Sequence, residues 1–171
     1  MNPRRLLVSA SVASLLLSLE AGHAQTSPDA PRTREGATAQ LPEAARDLLG
    51  AIDVPLSPER LAAAGVDAEV ATSVVADPRA SRYLRARSLA ALAQLGGDRA
   101  RAVLYGALGD EDQEIRIQAS IMVARRLGPE RPDEVRRRLH DRLAAATEAE
   151  RAVIAAELAT LEGRLAAPPQ P

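Results

Sequence analysis

Two stretches of this chain can be laid over one another. Leu84-Arg85-Ala86-Arg87-Ser88-Leu89-Ala90-Ala91-Leu92 matches Ile115-Arg116-Ile117-Gln118-Ala119-Ser120-Ile121-Met122-Val123 at an offset of 31 residues. Each begins with an apolar residue and Arg, carries a small residue four positions after the apolar one, and is closed by Leu95-Gly96 or Leu127-Gly128. A period of this size, made of two helices and a turn, constrains the architecture strongly: a single hairpin cannot bury its apolar face alone and must stack on the next. Composition agrees. Apolar residues make up 46% of the chain, yet only Tyr83 and Tyr105 are aromatic, so Ala, Leu, Val and Ile must fill the interior. So thin a core suits closely packed helices, and the Ala, Arg and Glu content favours helix over strand.

Helix punctuation recurs along the chain. Pro42 opens a short helix predicted to run through Ala51; Ser57-Pro58 is an N-cap with proline at the first helical position, closed by Gly65. Asp67 caps a helix ending near Ala76, Pro78 breaks the chain, and a longer helix runs from about Ser81 to Leu95, where Gly96-Gly97 stops it. Asp98 starts a helix to Leu108, and Asp110 to Asp112 form the next turn. A helix then spans about Gln113 to Leu127 and ends at Gly128-Pro129. Pro132 begins another, and Thr147 with Glu150 has the form of a capping box for the last helix, toward Leu165. Apolar stripes at helical spacing, Ile154, Leu158, Leu161 and Leu165, and Val135, Leu139, Leu143 and Ala146, each require a neighbour. The Gln113 to Leu127 segment is apolar over a broader arc and is predicted to be the central helix.

The segment Asp110-Glu111-Asp112-Gln113-Glu114-Ile115-Arg116, continuing through Ala119 to Leu127-Gly128, resembles the HEAT repeat, in particular the short variety also found in phycobilisome lyases. The resemblance implies a ladder between adjacent repeats, built from an Asp in the turn and an Arg six residues later; Asp110 and Arg116 have that spacing. In the preceding unit Asp77 lies eight residues before Arg85, with Pro78 between them. The last unit, Arg151 to Gly163, keeps the helical pattern and Leu161 but has Glu157 where an apolar residue is expected. The predicted fold is therefore all-α: a short α-solenoid of about three stacked helical hairpins over residues 67–165, with an N-terminal helical cap over residues 41–66.

Ahead of the cap, Arg4-Arg5 precede an apolar run from Leu6 to Leu19, and Gly22-His23-Ala24 offers the small residues of a cleavage site. This reads as a signal peptide over residues 1–24, cut after Ala24. Broken by four serines, the run is too short and too polar to span roughly 30 Å of hydrocarbon. The expected product has no stable membrane anchor and is periplasmic or secreted. Residues 25–40, rich in Thr, Pro, Gly and Ala with no apolar period, read as a disordered linker, and residues 166–171 as a disordered tail.

Few features suggest chemistry. The 22 basic residues beside the two histidines are all arginine and nearly balance 23 acids, which argues against a nucleic-acid partner. The absence of cysteine excludes disulfides and thiolate sites. His140, the only histidine beyond residue 24, is followed by Asp141, but adjacent helical residues point about 100° apart and cannot form a triad pair. The acids Asp110 to Glu114 alternate like the start of a calcium loop, yet Ile115 and Ile121 stand where that loop needs glycine and a bidentate acid; they are read as caps. Arg125, Arg126, Arg131, Arg136, Arg137, Arg138 and Arg142 form the densest basic cluster, read as a solvated face with pairs such as Asp133 to Arg137, the sharper reading being an anionic docking strip. Arg137, Arg138, Tyr105 and Tyr83 are the candidate partner-binding residues. The expectation is an exported, non-enzymatic binding module or scaffold with a protein partner and no cofactor or metal. The alternatives are an enzyme or cofactor binder related to the bilin-lyase repeats, or a structural component of the cell envelope.

Overall fold

A computed structural model describes residues 40–166; the expected leader, most of the linker and most of the tail lie outside the described residues. Among these there are eight α-helices and no strand: α1 (Glu43–Gly50), α2 (Pro58–Ala63), α3 (Ala68–Ala76), α4 (Arg82–Leu95), α5 (Gly97–Gly106), α6 (Gln113–Met122), α7 (Pro132–Leu143) and α8 (Glu148–Ala166). The all-α reading thus holds. None of these helices is long and apolar enough to cross a membrane.

The caps fall where short polar residues precede apolar periods. Ser57 Oγ accepts from Arg60 N, Asp67 from Glu69 N and Val70 N, Ser81 Oγ from Leu84 N, and Asp112 from Glu114 N. Each satisfies a backbone donor that the first helical turn leaves without an intrahelical acceptor. The capping box at α8 closes in both directions: Thr147 N donates to Glu150 Oε2 at 2.9 Å, and Glu150 N donates to Thr147 Oγ1 at 3.4 Å. Between α4 and α5 the chain turns through Gly96 and Gly97 with φ of 68° and 81°. Side chains other than glycine rarely adopt that backbone, so the pair forms the break, with Gly96 at the N-cap and α5 starting at Gly97 rather than at Asp98.

Helices α1, α4, α6 and α8 pack in that order, each on the next, while α3 lies on α4, α5 on α4 and α6, and α7 on α8. Leu49, Leu61, Leu89, Leu92, Leu104, Ile115, Leu139, Ile154 and Leu161 are fully buried, and alanines such as Ala45, Ala71, Ala91, Ala100 and Ala119 let the helices close on one another. The two apolar stripes face this core as expected, except that Leu165 is 44% exposed at the end of α8. Helix α6 is central: it touches α4 on one side and α8 on the other.

One feature of α6 has no counterpart in the sequence pattern. Its continuation, Val123–Leu127, is a single π turn, in which Gly128 N donates to Val123 O at 3.1 Å. The wider turn brings the Ala124 carbonyl oxygen to 2.3 Å from where a Cβ on Gly128 would sit, and Leu161 Cδ1 to 2.7 Å from the same point. Gly128 is thus the place where the end of α6 and the side of α8 meet without room for a side chain.

Candidate functional site

Most of the charged residues singled out by sequence are engaged in holding helices to one another. Arg116 donates Nη1 to the main-chain oxygens of Asp110 (2.8 Å) and Glu111 (2.9 Å), while its Nε and Nη2 reach Glu150 of α8 at 2.6 and 3.2 Å. Asp110 turns its carboxylate the other way, accepting from Arg85 Nη2 at 2.5 Å and from Asp112 N at 2.9 Å. The pairing therefore runs from Arg85 on α4 to the turn before α6, and from Arg116 on α6 to the start of α8. Arg85 also donates Nε to Val75 O at 2.9 Å. Asp77 is buried and its carboxylate accepts from Arg79 N. Asp112, besides capping α6, accepts from Arg82 Nε at 2.7 Å, a bond that holds its carboxyl below the ordinary range. Among the described residues no group of three His, Cys, Asp or Glu side chains is placed to hold a metal.

The basic cluster divides. Arg125 and Arg126, adjacent on the π turn, reach opposite neighbours: Arg125 forks Glu157 of α8 at 2.6 to 3.0 Å, and Arg126 donates to Ala93 O at 3.1 Å and Gln94 Oε1 at 2.7 Å on α4. They leave no continuous basic strip. On α7, Asp133 accepts from Arg136 rather than Arg137, a pairing one residue shorter than the sequence suggested. Arg131 and Arg138 share Glu134 at 3.5 Å each, and Arg142 donates to Glu150 at 2.8 Å. Arg137 is exposed and makes no ion pair among the described residues, and His140 and Asp141 are exposed beside it.

Of the four candidate binding residues, the fold joins two. The Arg138 guanidinium lies over the Tyr105 ring, 4.1 Å from its centroid, in a cation–π stack. Around this stack, α5 and α7 enclose two clefts that share Tyr105 and Arg138, of about 430 and 240 Å³. Arg101, Asp98 and Glu134 line the first, and Arg142, Asp141, Leu108 and Gly109 the second. Tyr105 is half-buried, its hydroxyl is covered and has no hydrogen-bond partner among the described residues, and burial raises its pKa, keeping the phenol protonated. Tyr83 is elsewhere, on α4, where it donates to Ala51 O at 2.8 Å beside a groove floored by Ala86 and Ala90.

Sequence reasoning did not find Arg87, whose Nη2 donates to Leu48 O and Val54 O at 3.2 and 2.8 Å and ties α4 both to α1 and to the loop after it. Nor did it find Arg125–Glu157, although a signal was present: their separation of 32 residues, like that of Arg126 and Gln94, is close to the repeat offset, and Glu157 stood out as an acid on an apolar stripe. No protein-family model, characterised protein or solved structure matches the chain.

Proposed function

We propose that this chain is a short stack of HEAT-like helical hairpins, α3–α4, α5–α6 and α7–α8, with α1 and α2 as its cap, and that it is an exported, non-enzymatic binding module presenting the α5–α7 face to a protein partner. The observation that carries the binding reading is the Tyr105–Arg138 stack on an open groove. Tyr and Arg are the side chains that concentrate binding energy in protein interfaces, and a Tyr held between two helices gives up little freedom on binding. The stacked reading is supported by the packing order of α1, α4, α6 and α8 and by Arg85–Asp110, Arg116–Glu150 and Arg125–Glu157, each of which ties one hairpin to the next.

The full chain used as bait in an envelope extract is expected to recover a reproducible partner, with recovery falling about tenfold in a Tyr105→Ala, Arg138→Ala double variant and unchanged in Arg60→Ala on α2. Recovery of nothing above background, or equal recovery by both variants, overturns the reading. The apolar run from Leu6 to Leu19 supports export. N-terminal sequencing of the protein from its producing cell is expected to begin at Gln25, and a chain that retains Met1 in the cytoplasm counts against export.

A further inference from the structure

The hairpins are joined by arginines that reach forward: Arg85 on α4 to Asp110 before α6, and Arg116 on α6 to Glu150 of α8. In the same repeat position on α8, Arg151 is exposed and makes no ion pair among the described residues. The stack ends on α8, yet this helix is not finished as an end. Its buried line is Glu150, Ile154, Glu157, Leu158 and Leu161. At 100° per residue the opposite side is Ala152, Ala155, Ala156, Ala159 and Gly163, all exposed, and a Cβ added at Gly163 would meet nothing within 4 Å. The outer helix of a repeat array ordinarily turns a polar face to water, as α1 does with Glu43, Arg46 and Asp47. Alanine faces joined by a forward arginine are how the inner helices meet, and α8 turns the same combination outward.

We propose that this face of α8 docks antiparallel on the α8 of a second copy of the chain, continuing the stack across a two-fold axis. The inference rests on the stacked-hairpin reading and goes beyond the binding reading, since the face shares no residue with the clefts around Tyr105. The acid that meets the forward arginine is Glu162, also exposed and without an ion pair among the described residues. Arg151 and Glu162 are 11 residues apart, three helical turns to within about 20°, so both flank the alanine face on the same side. An antiparallel two-fold brings each Arg151 opposite the partner's Glu162 and makes two ion pairs at once, whereas a parallel pair sets arginine against arginine and acid against acid. The point midway between them, at Ala156 and Glu157, is also the middle of Glu148–Ala166, so the two helices overlap along their whole length of about 28 Å. In that register Arg164 lies across from the partner's Ala149 and meets no like charge. With only alanine and glycine between them, the axes can close to about 8 Å, the near end of helix spacings.

Sedimentation velocity of the full-length chain from about 1 to 500 µM is expected to show a monomer–dimer equilibrium with a dissociation constant in the micromolar range, because one helix pair is a small interface. Ala156→Glu sets two carboxylates beside the two-fold axis and is expected to weaken the dimer at least about tenfold. Arg151→Glu and Glu162→Arg each oppose like charges twice and are each expected to weaken it about tenfold, while the two together in one chain restore it to within about threefold of the parent. All three positions are exposed, so circular dichroism melts of the dilute, monomeric variants should match the parent. A chain that stays monomeric across the whole range, or a dimer that Ala156→Glu leaves intact, overturns the inference. Failure of the double variant to recover overturns the antiparallel second copy as the occupant. Extract recovery through Tyr105 and Arg138 does not involve this face, so a monomeric chain that still captures its partner overturns this inference alone; a chain that does neither overturns both readings.

Discussion

Replacing Glu150 by alanine is expected to lower the unfolding free energy by about 3–5 kcal/mol and the melting temperature by roughly 10–20 °C. The carboxylate is 1% exposed and is surrounded by donors: Arg116 at 2.6 Å, Arg142 at 2.8 Å and the Thr147 N–H at 2.9 Å. Its removal leaves two mostly buried guanidinium groups without a counter-charge and uncaps α8, and an uncompensated buried charge is among the most destabilising defects a fold can carry. The arginine bonds, with Arg116 foremost, hold the Glu150 carboxyl far below the ordinary carboxylate range.

The sign of the pH dependence follows from that depression. Above the unfolded-state pKa of about 4.3 both states are ionised and the full stabilisation is present. As pH falls below it the unfolded chain binds a proton that the folded chain refuses, so stability is lost progressively toward the folded-state pKa. Urea melts of wild type and Glu150→Ala from pH 7 down to pH 3 are therefore expected to converge as the pH drops. A gap between the two that stays constant through this range would mean that Glu150 acts by packing and not by charge.

Gly128→Val is expected to destabilise by about 3 kcal/mol, and Gly128→Ala by roughly 1–3 kcal/mol, whereas Gly163→Ala on the open side of α8 stabilises by up to about 1 kcal/mol. The contrast isolates the mechanism. A Cβ on Gly128 meets the Ala124 carbonyl at 2.3 Å and Leu161 Cδ1 at 2.7 Å, while a Cβ on Gly163 meets nothing within 4 Å. Leu161 could rotate away, but the carbonyl belongs to the π turn and moves only if that turn winds back to α-helical register. Such rewinding would rotate Arg125 and Arg126 off Glu157 and Gln94, so Gly128 indirectly positions both inter-helix arginines. Thermal melts of the three variants decide it: a Gly128→Ala protein as stable as wild type would show that the π turn is not needed.

Local chemistry made much of this fold legible. Ser57, Asp67, Ser81 and Asp112 cap helices where their short polar side chains precede apolar periods, Gly96 and Gly97 break the chain where positive φ is needed, and the Ile154, Leu158, Leu161 stripe is buried as its spacing predicts. These outcomes depend on residues within a turn or two of one another, so the order of residues suffices to fix them. Glu150 was legible only as a cap, because the guanidinium groups that share it come from α6 and α7. Likewise, a single chain order leaves open whether Arg137 or Arg138 turns toward Tyr105; in the fold Arg138 lies over the Tyr105 ring and Arg137 is exposed.

What the sequence determined by itself is the set of helices, their ends and the stripes that must be covered, since these follow from backbone hydrogen bonding and side-chain period. Tertiary structure alone decided which arginine meets which acid, the π turn at Val123–Leu127 and the union of Tyr105 with Arg138. A long side chain sweeps many partners, and only the packed spacing of the helices leaves it one.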